Sequence, residues 1–163
     1  MVVAPRDFRD EEVFEPKAAF EAAGAEVVVA SEAAGRARGC LGGWVVVDAA
    51  MAEVRARELD AVVFAGGTGS RAFLQSRSAW RLCRDAVEER RVLAAICLAP
   101  GILARAGVLA GRRATAFADA RPELEAGGAV WVEGPVCVDG KLITATGPQV
   151  AKEFARAILA GIR

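Results

Sequence analysis

Short apolar runs alternate along the chain with stretches whose apolar residues recur at helical spacing. MVVA (1–4) reads as a first strand, AEVVVAS (25–31) as a second, and VVVD (45–48) as a shorter one behind the turn signal LGG. AVVFAGG (61–67) is a strand running into glycines, and VLAAIC (92–97) is the next strand. Between them, EEVFEPKAAFEAAG (11–24) has helical spacing and a stop at Gly24. RAFLQSRSAWRLCRDAVEERR (71–91) predicts a helix in two pieces, broken near Ser76 to Ser78, and PGILARAG (100–107) predicts another helix.

The last third reads as a strand-like RATAFAD and a short helix, RPELEAGG, with Pro122 near its start and Gly127 at its end. VWVEGPVCVDGKLITATG follows, with the hairpin signal Asp139-Gly140 between alternating runs. QVAKEFARAILAGI (149–162) closes the chain as an amphipathic helix. Near-continuous apolar strands alternating with helices predict an α/β fold, a mostly parallel sheet with helices on both faces. In such sheets ligands sit beyond the C-terminal strand ends. That end should gather the loops Pro5 to Glu12, Gly66 to Ser70 and Cys97 to Gly101. No linker, repeat or low-complexity tract interrupts the 163 residues, so a single domain, 1–163, is expected.

Composition narrows the function classes. The chain is 54% hydrophobic and 26% charged, which argues against disorder. Lys+Arg and Asp+Glu are 21 each, giving no electrostatic case for nucleic acid or an anionic membrane. No apolar stretch approaches the ~20 residues of a membrane span, and MVVAPRDFRD lacks the features of a signal peptide. A cytoplasmic protein is expected. The chain has no histidine, so a zinc site is not expected from Cys40, Cys83, Cys97 and Cys137, and no cofactor is called for. Ser-His and Cys-His arrangements are excluded as well.

Candidate chemistry gathers at three places. Cys97 stands at a strand-to-helix turn, where an exposed sulfur near a helix N-terminus would have its pKa lowered from ~8.5. The alternative is a cysteine that packs as a small hydrophobe. Gly66-Gly67-Thr68-Gly69-Ser70 is either a plain turn capped by Ser70 or a backbone anion hole. Asp10, Glu11, Glu12 and Glu15 suit a helix start, and one of them on the inward face could reach a thiol on a neighbouring strand. Cys83 and Cys137 read as packing residues and Cys40 as exposed. Trp44, Trp80 and Trp131 are scattered, and Arg90-Arg91 with Arg112-Arg113 read as a solvated face.

Together these stretches resemble the ThiJ/PfpI superfamily, of the class I glutamine amidotransferase-like type. Phe8, Asp10, Glu12 and Pro16 stand in the register of its "F-E-D-x-E-x-x-x-P". Ala65-Gly66-Gly67-Thr68-Gly69 stands at its mid-chain glycine loop. AAICLAPGILARAGVLAGRRAT (94–115) follows its cysteine stretch closely, and Asp139 to Thr144 with Gly147-Pro148 follows "D-G-x-L-I-T-x-x-G-P". The resemblance implies a flavodoxin-like three-layer sandwich, a homodimer, and a cysteine on a strained turn. It maps the acid that contacts the sulfur onto Glu12, and the oxyanion amides onto Gly66, Gly67 and Leu98. Superfamily activities include glyoxalase and deglycase chemistry, peptidase and chaperone activity, and redox sensing.

This chain departs from the pattern. Leu98 stands where PfpI-type members carry the histidine after the cysteine, and Phe117 stands where others carry a later one. Ala145-Thr146-Gly147-Pro148 replaces "Ser-Arg-Gly-Pro". A Cys-His-acid relay therefore cannot form, even across a homodimer. Three functions remain open: stress protection by carbonyl chemistry through a Cys97 thiolate assisted by Glu12, redox sensing or chaperoning through an oxidisable Cys97, and an inert binding or dimerisation module. The corresponding partners are a small carbonyl or an oxidant.

Overall fold

The computed structural model describes residues 1–163. In chain order its first elements are β1 (Arg6–Phe8), α1 (Asp10–Ala22), β2 (Ala30–Ser31), β3 (Gly35–Gly39), β4 (Trp44–Val47) and β5 (Ala49–Ala50). Next come β6 (Ala61–Phe64), α2 (Arg77–Glu88), β7 (Val92–Ile96), α3 (Pro100–Arg105) and β8 (Arg113–Ala114). The chain ends with α4 (Arg121–Ala126), β9 (Val130–Trp131), β10 (Val136–Asp139), β11 (Leu142–Ala145) and α5 (Ala151–Ile162).

The central sheet runs β10-β11-β7-β6, with only the β10–β11 pair antiparallel. The first residues extend it, since Val2 bridges Phe64 on one side and Ala30 on the other, both parallel. Beyond them β2 pairs with β5. MVVA thus lies in the sheet, joined by bridges and not as a full ladder. The strand expected over 25–31 is hydrogen-bonded as a strand only at Ala30–Ser31.

Strand alternation sorts the core into two layers. Leu93 and Ala95 of β7 join Leu82 of α2 and Ile102 and Leu103 of α3. Ala94 and Ile96 join Phe20 of α1 and Phe154 and Ile158 of α5 on the opposite face. This is the flavodoxin-like three-layer sandwich that the resemblance implies, its mostly parallel sheet covered by helices on both faces as the pattern predicts. No helix is long and apolar enough to cross a membrane.

The two-piece helix resolves into a 3-10 stretch, Thr68–Gln75, and α2. Ser76 separates them, its hydroxyl accepting the Ala79 N–H at 3.2 Å as an N-cap. The Asp139-Gly140 turn joins β10 to β11, with Gly140 at φ +62°. A second, small sheet of order β1-β3-β4 lies at the rim. Its β3, GRARG, lacks an apolar alternation and pairs through its backbone with Arg6 and Phe8.

Candidate active site

Cys97 is the first residue after β7, and Gly66 follows Ala65 just beyond β6, so both stand at C-terminal strand ends. The Cys97 N–H donates to the Ala145 carbonyl at 2.9 Å, and its own carbonyl accepts the Phe117 N–H at 2.9 Å. Pinned on both sides, Cys97 has φ +65°, a left-handed conformation that only two other non-glycine residues, Asp7 and Arg90, share. Such a backbone costs on the order of 1–3 kcal/mol and persists where surrounding contacts fix it.

The expected three loops converge here. The Arg9 N–H donates to the Gly66 carbonyl at 3.1 Å, which ties the segment before α1 to the glycine loop. A Cβ on Gly66 would stand 2.6 Å from Glu12 Oε2, 2.6 Å from the Ile96 carbonyl and 2.7 Å from Cys97 Cβ. Gly66 is therefore the spacer through which acid and thiol approach each other. Gly67, at φ +93°, leaves no room for a side chain against the Asp7 carbonyl and the Arg9 nitrogen.

Glu12, in the first turn of α1, is fully buried. Its Oε2 accepts the Gly66 N–H at 2.9 Å, while Oε1 has no hydrogen-bond partner. Burial pushes this carboxyl up to about 7, opposed by the nearby Cys97 thiol and by the Gly66 amide. The Cys97 thiol is pushed up to about 12, chiefly by burial and then by the Glu12 charge. Hydrogen bonds from the Gly67 and Leu98 amides act in the opposite direction.

Two expectations are corrected by this geometry. The Cys97 sulfur does not stand open at a helix end, since the residue is only 8% exposed and its thiol is held up. Helix α3 has only six residues, and the field at its start is outweighed by desolvation and the adjacent acid. The Gly66 N–H, expected at the oxyanion position, is instead occupied by Glu12. Gly67 and Leu98 are the amides directed at the sulfur.

Two neighbours of Glu12 support the site in ways the sequence did not single out. Asp10 accepts the Leu41 and Gly43 N–H groups at 2.9 and 2.7 Å, fastening the β3–β4 turn onto the helix that carries Glu12. Glycines at 39 and 43 leave room for its carboxylate, and this pair was the available signal. Arg9 forms a two-pronged ion pair with Glu11 at 2.7 and 2.9 Å, and its charge lowers the Glu12 pKa. Among the other cysteines, Cys83 and Cys137 are buried and Cys40 is exposed, as expected. No three His, Cys, Asp or Glu side chains converge on a common metal position.

Residues 1–161 match the DJ-1/PfpI family. A protein of Methanocaldococcus jannaschii is 40% identical over 165 residues, covering 99% of this chain and 80% of its own length. A deglycase of Thermococcus kodakarensis is 33% identical over 91% of this chain and 89% of its own. The crystal structure of a ThiJ/PfpI domain protein from Brachyspira murdochii superposes with a TM-score of 0.97 at 34% identity, covering 99% of this chain and 93% of that one. The cysteine turn, its acid and its glycine loop thus lie within a match that extends along almost the whole sequence, and the chain belongs to the DJ-1/PfpI family.

Proposed function

We propose that the protein is a stress-protection enzyme of glyoxalase or deglycase type, acting on reactive carbonyls through Cys97 with Glu12 as proton carrier. The observation that carries this reading is the buried Glu12 carboxyl, brought against the Cys97 turn across Gly66, with Oε1 free of any hydrogen-bond partner and the group poised at about 7. A general base works best with a pKa near the operating pH. Burial and the Glu12 charge disfavour the thiolate, so in this reading the thiol's proton passes to Glu12 as the new bond forms. Deglycase relatives of similar length add support.

In the first step the Cys97 sulfur bonds to the aldehyde carbon while its proton passes to Glu12. The carbonyl π electrons move to oxygen, the Gly67 and Leu98 amides stabilise the developing charge, and Glu12 returns the proton. The product is a hemithioacetal. With a 2-oxoaldehyde, Glu12 then carries the proton of the sulfur-bearing carbon to its neighbour while the hydroxyl proton on the first carbon passes to the neighbouring carbonyl oxygen, leaving a 2-hydroxy thioester. Water cleaves the thioester, releasing a 2-hydroxy acid and the free thiol. The sum is one aldehyde and one water giving one acid.

Lactate formation from methylglyoxal tests the reading. Cys97→Ser should abolish it. Glu12→Gln should lower it by about 10²–10⁴-fold, the usual worth of a general base. Undiminished lactate formation by Cys97→Ser would overturn the proposal.

A further inference from the structure

We propose that a cavity at the N-terminal end of the sheet binds a small cationic amphiphile, a hydrocarbon tail ending in an ammonium group. Ala61 opens β6 and pairs with Val92, the first residue of β7, whereas Cys97 follows the last. The cavity, which Ala61 lines, thus lies at the opposite end of the sheet from the thiol, and the inference does not depend on the carbonyl reading. It holds about 540 Å³, within the ~300–1,000 Å³ typical of small-molecule pockets. Val2 bridges Phe64 and Ala30, and toward this end the stretches 25–28 and 61–63 both line the cavity.

The walls select a tail. Val62 and Leu82 belong to one core layer, Phe20, Val63 and Ile158 to the other, and all five are buried. The mouth selects a head. Glu26, Glu58 and Asp60 are exposed, and they are the only lining residues with polar side chains. Arg57 stands 3.8 Å from Glu58, a loose pair between exposed side chains, while Glu26 and Asp60 form no ion pair. The Met1 amine, also at the wall, donates to the Val28 carbonyl at 2.7 Å, and burial holds it down to about 6, so it is largely uncharged at neutral pH. The mouth therefore carries net negative charge over an apolar interior. An anionic head would be repelled there and a neutral apolar molecule would gain the walls alone, whereas an alkylammonium gains both.

Isothermal titration calorimetry at pH 7 and low salt, with each probe below its micelle concentration, tests the inference. Decylammonium should bind, and octylammonium should bind about tenfold more weakly for the loss of two buried methylenes. Decanoate, with a similar tail and the opposite charge, should bind at least about tenfold more weakly than decylammonium. The double variant Glu26→Gln, Asp60→Asn should narrow that gap. Leu159→Trp and Ala61→Leu each add bulk to the wall and should abolish decylammonium binding. Cys97→Ser should bind it as the native chain does, which separates this site from the thiol. Undetectable binding of decylammonium, equal affinity for decanoate, or binding that survives in whichever filling variant keeps a cooperative unfolding transition would overturn the inference.

Discussion

Glu12 and Cys97 govern each other's protons. The carboxylate disfavours a second negative charge on sulfur, and the nearby thiol in turn lowers the carboxyl's pKa against the larger effect of burial. Glu12→Gln removes the opposing charge while leaving the Gly66 amide a carbonyl oxygen to bond. Cys97 alkylation by iodoacetamide at pH 8–9 should therefore speed up several-fold, even as aldehyde turnover falls. Peptide mapping against the exposed Cys40 reads the first effect. An unchanged rate would show that burial alone holds the thiol up. Both residues were legible from the sequence, Cys97 from its turn and Glu12 from its register with the family. The direction of the thiol's shift was not, because it depends on burial that only the folded layers create.

At the scale of elements, the site depends on two strand ends kept unusually close. Gly66 lets the end of β6, the turn after β7 and the first turn of α1 meet around one carboxyl. Gly66→Ala would force Glu12 Oε2, the Ile96 carbonyl or Cys97 Cβ to shift, since each lies within 2.7 Å of the added methyl. A stability loss of roughly 1–3 kcal/mol is expected, with turnover falling further than stability explains. Denaturant midpoints measured beside lactate formation would separate the two. The fully buried strand β7 was plain in the sequence because VLAAI is apolar throughout. The rim sheet was hidden because GRARG reads as a loop, its pairing supplied by backbone groups that any residue carries.

Across the whole molecule, the buried acid ties stability to pH. Glu12 titrates near its ordinary 4.5 in an unfolded chain and at about 7 in the folded one. Between these values the unfolded chain releases a proton that the folded chain keeps, so rising pH favours unfolding. Glu12 should cost up to roughly 3 kcal/mol of stability as pH climbs from about 4.5 to about 7, then no more above that. The difference in unfolding free energy between the native protein and Glu12→Gln, followed across this range, isolates that slope. A difference independent of pH would mean that the carboxyl ionises normally inside the fold. The left-handed backbone at Cys97 bears on the remaining possibility, an inert module. Glycine occupies such a conformation without penalty and lies one base change from either cysteine codon. In a scaffold with no use for sulfur, that exchange would relieve strain and open no functional loss. Cys97→Gly should therefore relieve backbone strain while removing the thiol, so that lactate formation is lost without a matching loss in the denaturant midpoint.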